Sequence, residues 1–452
     1  MTNSHNISTS VWDRTLRGGV TLAQALICAL IMLAVQAAQA QTYKVIYNFT
    51  GGSDGAAPEA GVVIDRAGNL YGTTSTRGAF DVGTVFRLAP KGSGWILSPL
   101  YSFTGGSDGQ FPAAPVTIGP DGNLYGITFN GGNNGCELGC GTVFKLTFPA
   151  RVCEAANCPW SESVLYRFTG GGDGANPTGD VLFDAAGNIY GTTEGGGSNS
   201  KGTVFKLAHS GSGWTESVLH SFDAQSDGEL PQSGVIFDSA GNLYGTAIYG
   251  GPNDDGTVFE LTPSGSGWTE QTLYGFTGES DGAYPVGGLI FDSAGNLYDS
   301  ASGAGPDNGG TVFELSPSGG NWMFTTLYGL TCSGDWCNDT LDRGGRARGF
   351  LPPGFSGSPG PQANLLMDAA GNLYGTTFSD GPYGCGSIFK LTPSGGGWTY
   401  TSLHDFSGGT AGCMSAGNVA MDRSGNLYGT ASIGGTGKCT QSPCGIVWEI
   451  TP

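Results

Sequence analysis

The stretch DSAGNLYG at residues 238–245 recurs along the chain with small changes, as DRAGNLYG at 65–72 and DAAGNIYG at 184–191. Its central glycine falls at 68, 122, 187, 241, 295, 371 and 425, in steps of 54, 65, 54, 54, 76 and 54. The unit is therefore 54 residues long and present seven times, and two copies carry insertions of 11 and 22 residues. Self-similarity at such a period decides the architecture before any single residue can be given a role.

Each unit contains four apolar stretches. In the fourth copy they are GVIFD (234–238), NLYGTAI (242–248), GTVFELTP (256–263) and WTEQTLYGF (268–276). All are of strand length, rich in β-branched and aromatic residues, and bounded by Gly, Asp, Asn, Ser or Pro. Helical periodicity is absent. Four short antiparallel strands repeated seven times predict an all-β fold, a seven-bladed β-propeller. The chain ends test this. The last copy stops at Pro452 after GIVWEITP, without a fourth strand, and the orphan segment YKVIYNFTGGSDG at 43–55 matches the fourth strand of other copies. The N-terminal strand is thus expected to complete the last blade and close the ring.

The bulk composition agrees. Glycine supplies 83 of 452 residues, only 12% are charged, and 38% are apolar. That suits many strands joined by tight turns and not a disordered chain. Arg14 and Arg17 precede the apolar run VTLAQALICALIMLAVQAAQA, which ends on Ala38-Gln39-Ala40. This reads as a signal peptide over 1–40, cut after Ala40, with a retained membrane anchor as the competing reading. Residues 41–452 then form one propeller domain of net charge −20, secreted to the periplasm or medium. So acidic a surface argues against nucleic acid and anionic membranes as partners. No membrane span is expected in the mature chain, which is read as a monomer.

Without Cys28 ten cysteines remain, an even number for an oxidising compartment. Four pairs are close in sequence: Cys136/Cys140, Cys153/Cys158, Cys332/Cys337 and Cys439/Cys444, leaving Cys385 with Cys413. Zinc is the rival, but spacings of four and five without nearby histidines suit it poorly. Disulfides are expected.

The repeated residues read as frame. In D-x-x-G-N the Asp caps its own turn and the Gly takes positive φ; copy two has Gly119 at the Asp position, so the Asp is dispensable. The SDG aspartates (54, 108, 173, 227, 281) read first as turn residues. A ring of such carboxylates could bind Ca²⁺ or a hydroxyl-rich ligand, but the D-x-D-x-D-G spacing is missing, so no cofactor is assigned. His220 and His404 replace the Tyr of outer strands, which disfavours a histidine triad or a histidine-held metal.

Positions that break the repeat are the better site candidates. Copy five has Asp299 where others have Gly; copy three ends its second strand with Glu194, and copies two and six with Phe129 and Phe378. The insertion at about 331–362 concentrates Arg343, Arg346, Arg348, Trp336 and Phe350 in a cation-poor chain. Long loops often bind, and these residues suit a carboxylate or a sugar; a solvated loop tied by Cys332–Cys337 is the plainer reading.

Written out, the unit is GGLIFDSAGNLYGT…GGxxxxGTVFxLTPSGSGWTExxLYxFTGGSDGAxP. It resembles the GloVer tandem-repeat family of exported bacterial proteins (choice-of-anchor repeat proteins) over nearly all of 43–452. Its D-x-x-G-N-L-Y half is also similar, over a short stretch, to NHL and gluconolactonase-type propellers. The resemblance implies an exported or surface-displayed propeller and names no activity. The chain ends directly after a strand with no anchor segment, which favours release. Three readings follow: a non-enzymatic binding or scaffold module for an extracellular glycan or protein; a carbohydrate- or lactone-acting lyase or hydrolase at the channel, with Asp299 and Glu194 as acids; and a purely structural envelope protein.

Overall fold

The computed structural model describes residues 41–149, 160–211, 213–265, 267–331, 360–439 and 444–452. The expected signal peptide, Cys153, Cys158, Cys332 and Cys337, and the insertion residues Trp336, Arg343 and Arg346 lie outside them.

Residues 43–451 form one compact unit of seven four-stranded antiparallel sheets. Blade one comprises β2 (Val62–Ile64), β3 (Leu70–Thr74), β4 (Thr84–Lys91) and β5 (Gly94–Ser102), in that spatial order. The last blade takes Ala420–Met421, Leu427–Ala431 and Ile446–Thr451 from the C-terminus and β1 (Thr42–Asn48) from the N-terminus. The chain closes its own ring, which leaves no blade a strand short.

The core lies between blades. In five blades the Phe just after the outer strand meets the Phe of the next blade's third strand edge to face. Blade five has Leu330 there, and Phe406 of blade six meets Trp448. Phe49–Phe86, Phe103–Phe144, Phe168–Phe205 and Phe222–Phe259 have centroids 5.1–5.2 Å apart, and all eight rings are fully buried. Burying each ring contributes about 1.5–3 kcal/mol. This packing explains the glycine in LYGT: across the pair Gly72↔Phe86, a Cβ on Gly72 would lie 2.6 Å from Phe86 Cζ. A threonine one residue later ties blade to blade. Thr73 Oγ1 donates to Ala114 O at 3.0 Å, and Thr192 and Thr246 donate likewise to Ser233 O and Gly287 O.

The turns behave as the residue types demand. Asp65 accepts from Ala67 N, Asn69 N, Asn69 Nδ2 and Tyr71 OH, and Gly68 sits at φ 83°. Where copy two lacks that Asp, Asp121 moves in. It accepts from Asn123 N, Asn123 Nδ2 and Tyr125 OH and pairs with Lys145 at 2.7 Å. The SDG aspartates also turn inward: Asp54 accepts from Thr50 N, Thr50 Oγ1, Gly52 N and Tyr47 OH, and it is buried. His220 takes the Tyr role, its Nε2 lying 2.6 Å from Asp227 Oδ2. These carboxylates accept from their own turn and outer strand, as their reading as turn residues expects. Disulfides join Cys136–Cys140, Cys385–Cys413 and Cys439–Cys444.

Candidate functional site

After each SDG turn the chain runs inward to its short first strand, and these seven inward segments line an axial cavity. Its volume is about 650 Å³ with the open mouth included. The frame there is constant, with proline in six copies, but the residue after it is not: Glu59, Ala113, Thr178, Gln232, Val286 and Gln362 stand at equivalent places. Asp180, Asn364 and Asn418 add polar groups two residues further on. None of the described lining residues is Lys, Arg or His.

Electrostatics follow from that composition. Glu59 is 4% exposed and its Oε2 has no hydrogen-bond partner. Burial pushes its carboxyl up to about 8, against a weaker opposing hydrogen bond from Ser75. Burial likewise raises Asp180, whose Oδ1 lies 2.6 Å from where a Gly234 Cβ would be. Glu59 thus carries its proton at neutral pH and can donate as well as accept.

The residues picked from sequence fall into three places. Phe129 lines the cavity. Glu194 stands beside the lining residue Gln232, which hydrogen-bonds it; burial still raises its carboxyl to about 7, and Glu194 Oε2 and Gln232 Oε1 are unpartnered. Phe378, at the equivalent end of blade six's second strand, is buried and outside the cavity lining. Asp299 is also outside it, fully buried behind the wall. Its Oδ1 fills the space a Cβ on Gly287 would need, 2.3 Å away. Both its carboxyl oxygens and the neighbouring Ser300 Oγ lack hydrogen-bond partners. Burial therefore holds Asp299 well above the carboxylate range, opposed only by the Ser300 backbone.

Glu59, Asp180 and Gln232 were not singled out from sequence, although the signal was present. Aligning the seven copies shows variable residues just after a fixed proline. Among the described residues, no group of three or more His, Cys, Asp or Glu is placed to hold a metal. No described helix is long and apolar enough to cross a membrane.

The Gloeobacter/Verrucomicrobia repeat model matches residues 33–156 and 139–345, more than half of the chain. The chain belongs to this repeat family. No curated protein matches it. Among solved structures, it is similar to a protein from Thermus thermophilus described as an oxidoreductase (glucose dehydrogenase), at 15% identity and TM-score 0.42, covering 91% of this chain and 100% of that one. It is also similar to one described as a 6-phosphogluconolactonase from Bacteroides uniformis, at 14% identity and TM-score 0.45, covering 85% and 98%. In this member of the repeat family, the residues that the seven copies set on the cavity wall vary from blade to blade.

Proposed function

We propose that this repeat protein is an exported, non-enzymatic binding module that takes a neutral, hydroxyl-rich ligand, an extracellular glycan, in its axial cavity. One observation carries the reading: the wall joins unpartnered polar atoms on Glu59 and Gln232 to the Asn364 amide and the Phe129 ring, with no cation among the described lining residues. A hydroxyl both donates and accepts, so it can satisfy a protonated carboxyl and an amide at once. An anionic ligand would find no positive partner and would meet acids instead.

Titration calorimetry at pH 7 against neutral and uronic-acid oligosaccharides tests this. Neutral chains should bind, and Glu59→Ala should weaken them at least tenfold. Binding of the acidic chains alone, or of none, would sink the proposal. The raised carboxyls of Glu59 and Glu194 support a second reading, acid-assisted cleavage of a glycoside or lactone. Turnover of such compounds, lost in Glu59→Gln, would favour it over simple binding.

A further inference from the structure

Six blades enter the cavity through a residue with positive φ: Ala57 (54°), Phe111 (56°), Asn176 (55°), Leu230 (56°), Tyr284 (61°) and Met414 (59°). Five stand two residues before the first lining position of their blade, and Asn176 stands one before Pro177. The conformation has a backbone cause. The N–H reaches the preceding blade, as from Phe111 to Val82 O at 3.0 Å, Tyr284 to Asp255 O at 2.9 Å and Met414 to Cys385 O at 2.9 Å. The carbonyl turns to its own blade, accepting from Phe129 N at Phe111 and from Ser302 N at Tyr284, both at 3.0 Å. An extended residue points its N–H and C=O to one side; the left-handed turn divides them between two blades.

This stitch asks nothing of the side chain, and glycine makes the turn without steric penalty. The sixth copy has Gly360 at this place, which accepts from Phe378 N at 3.1 Å and is not among the positive-φ residues. The other six keep side chains, no two alike and all half-buried, in a conformation that disfavours them. Some also set the lining itself. Asn176 Nδ2 donates to Phe129 O at 3.0 Å and to Asn130 Oδ1 at 3.1 Å, so it fixes the backbone that carries the Phe129 ring. Tyr284 meets Tyr249 edge to face at 5.1 Å.

We propose that these six residues are the specificity-determining rim of the cavity, reading the second and later units of a neutral oligosaccharide whose terminal unit enters it. The inference rests on the glycan reading above. Phe111 and Tyr284 offer ring faces to the C–H surface of a pyranose, and Asn176 offers its Oδ1 as an acceptor to its hydroxyls.

Phe111→Gly and Tyr284→Gly, with Phe111→Asn as a variant that keeps a side chain suited to the turn, test the rim in two ways. The midpoint of thermal unfolding needs no ligand, and it should hold or rise in both glycine variants. Calorimetry with glucose, N-acetylglucosamine and the tetramers of cellulose, xylan and chitin should then show at least a tenfold loss of tetramer affinity. Monosaccharide affinity should stay unchanged. A lower midpoint in both glycine variants would mean that the side chains are kept for packing, and would overturn the rim. So would unchanged tetramer binding; either result leaves the cavity reading intact. A wild type that binds no member of the panel would remove both.

Discussion

Asp54 and Glu59 stand five residues apart and are both buried, at 6% and 4% exposure, yet their surroundings are opposite. Asp54 lies in a turn that every blade needs, and its own blade supplies four donors. Glu59 lies at a wall position that varies among the blades, and Oε2 has none. A carboxylate that belongs to the repeat is satisfied by the repeat. Glu59, which departs from it, is desolvated against only a weaker hydrogen bond from Ser75, and its proton stays on at neutral pH. The contrast marks which acids build the ring and which are free to serve a ligand.

The sharpest way to break the contrast is to remove each acid. Asp54→Ala should leave four donors without their acceptor and lower stability by about 2 kcal/mol in denaturant unfolding. Glu59→Gln should leave stability at pH 8 unchanged or higher. Equal losses would show that both acids are frame.

A pH series extends it. A carboxyl raised on folding binds its proton more tightly in the folded state. Its stabilisation is complete below the unfolded value near 4.5 and is lost as pH climbs to the folded value of about 8. Unfolding free energy should therefore fall by about 1 kcal/mol per pH unit through the Glu59 contribution across that window. Glu59→Gln should flatten the fall; a slope unchanged by the substitution would remove Glu59 as its source.

Asp299→Gly restores the residue of the other six blades and deletes two unpartnered oxygens. It should raise stability by about 1–2 kcal/mol, read as a higher midpoint in denaturant. A loss would mean that the carboxyl is held by the blade. The smallest effect belongs to the exposed turns: Asp65→Ala should cost about 1 kcal/mol. Asp121→Ala should match it, because Asp121 does the same work from a different position; a silent Asp121→Ala would separate the two turns.

The seven-bladed ring and its closure by residues 43–48 were legible because a 54-residue period and a missing last strand leave one arrangement. The turn roles of Asp65 and Asp54 were legible too, since a local hydrogen bond depends only on neighbours in the chain. Asp121 replacing the absent Asp was not foreseen, although both positions lie within the same short turn. Phe129 and Glu194 were found because they interrupt a strand pattern that repeats. Glu59, Asp180 and Gln232 were passed over because they sit in a linking segment, where variation looks ordinary.

The sequence by itself determined the repeat, the strand count and the closed ring, because these rest on periodicity and local chemistry. Only the tertiary structure decided which variable residues meet. Residues more than three hundred positions apart, such as Glu59 and Gln362, face one cavity because seven blades converge on one axis. Burial there raises the Glu59 carboxyl, so that its charge is set by its place in the ring and not by its residue type alone.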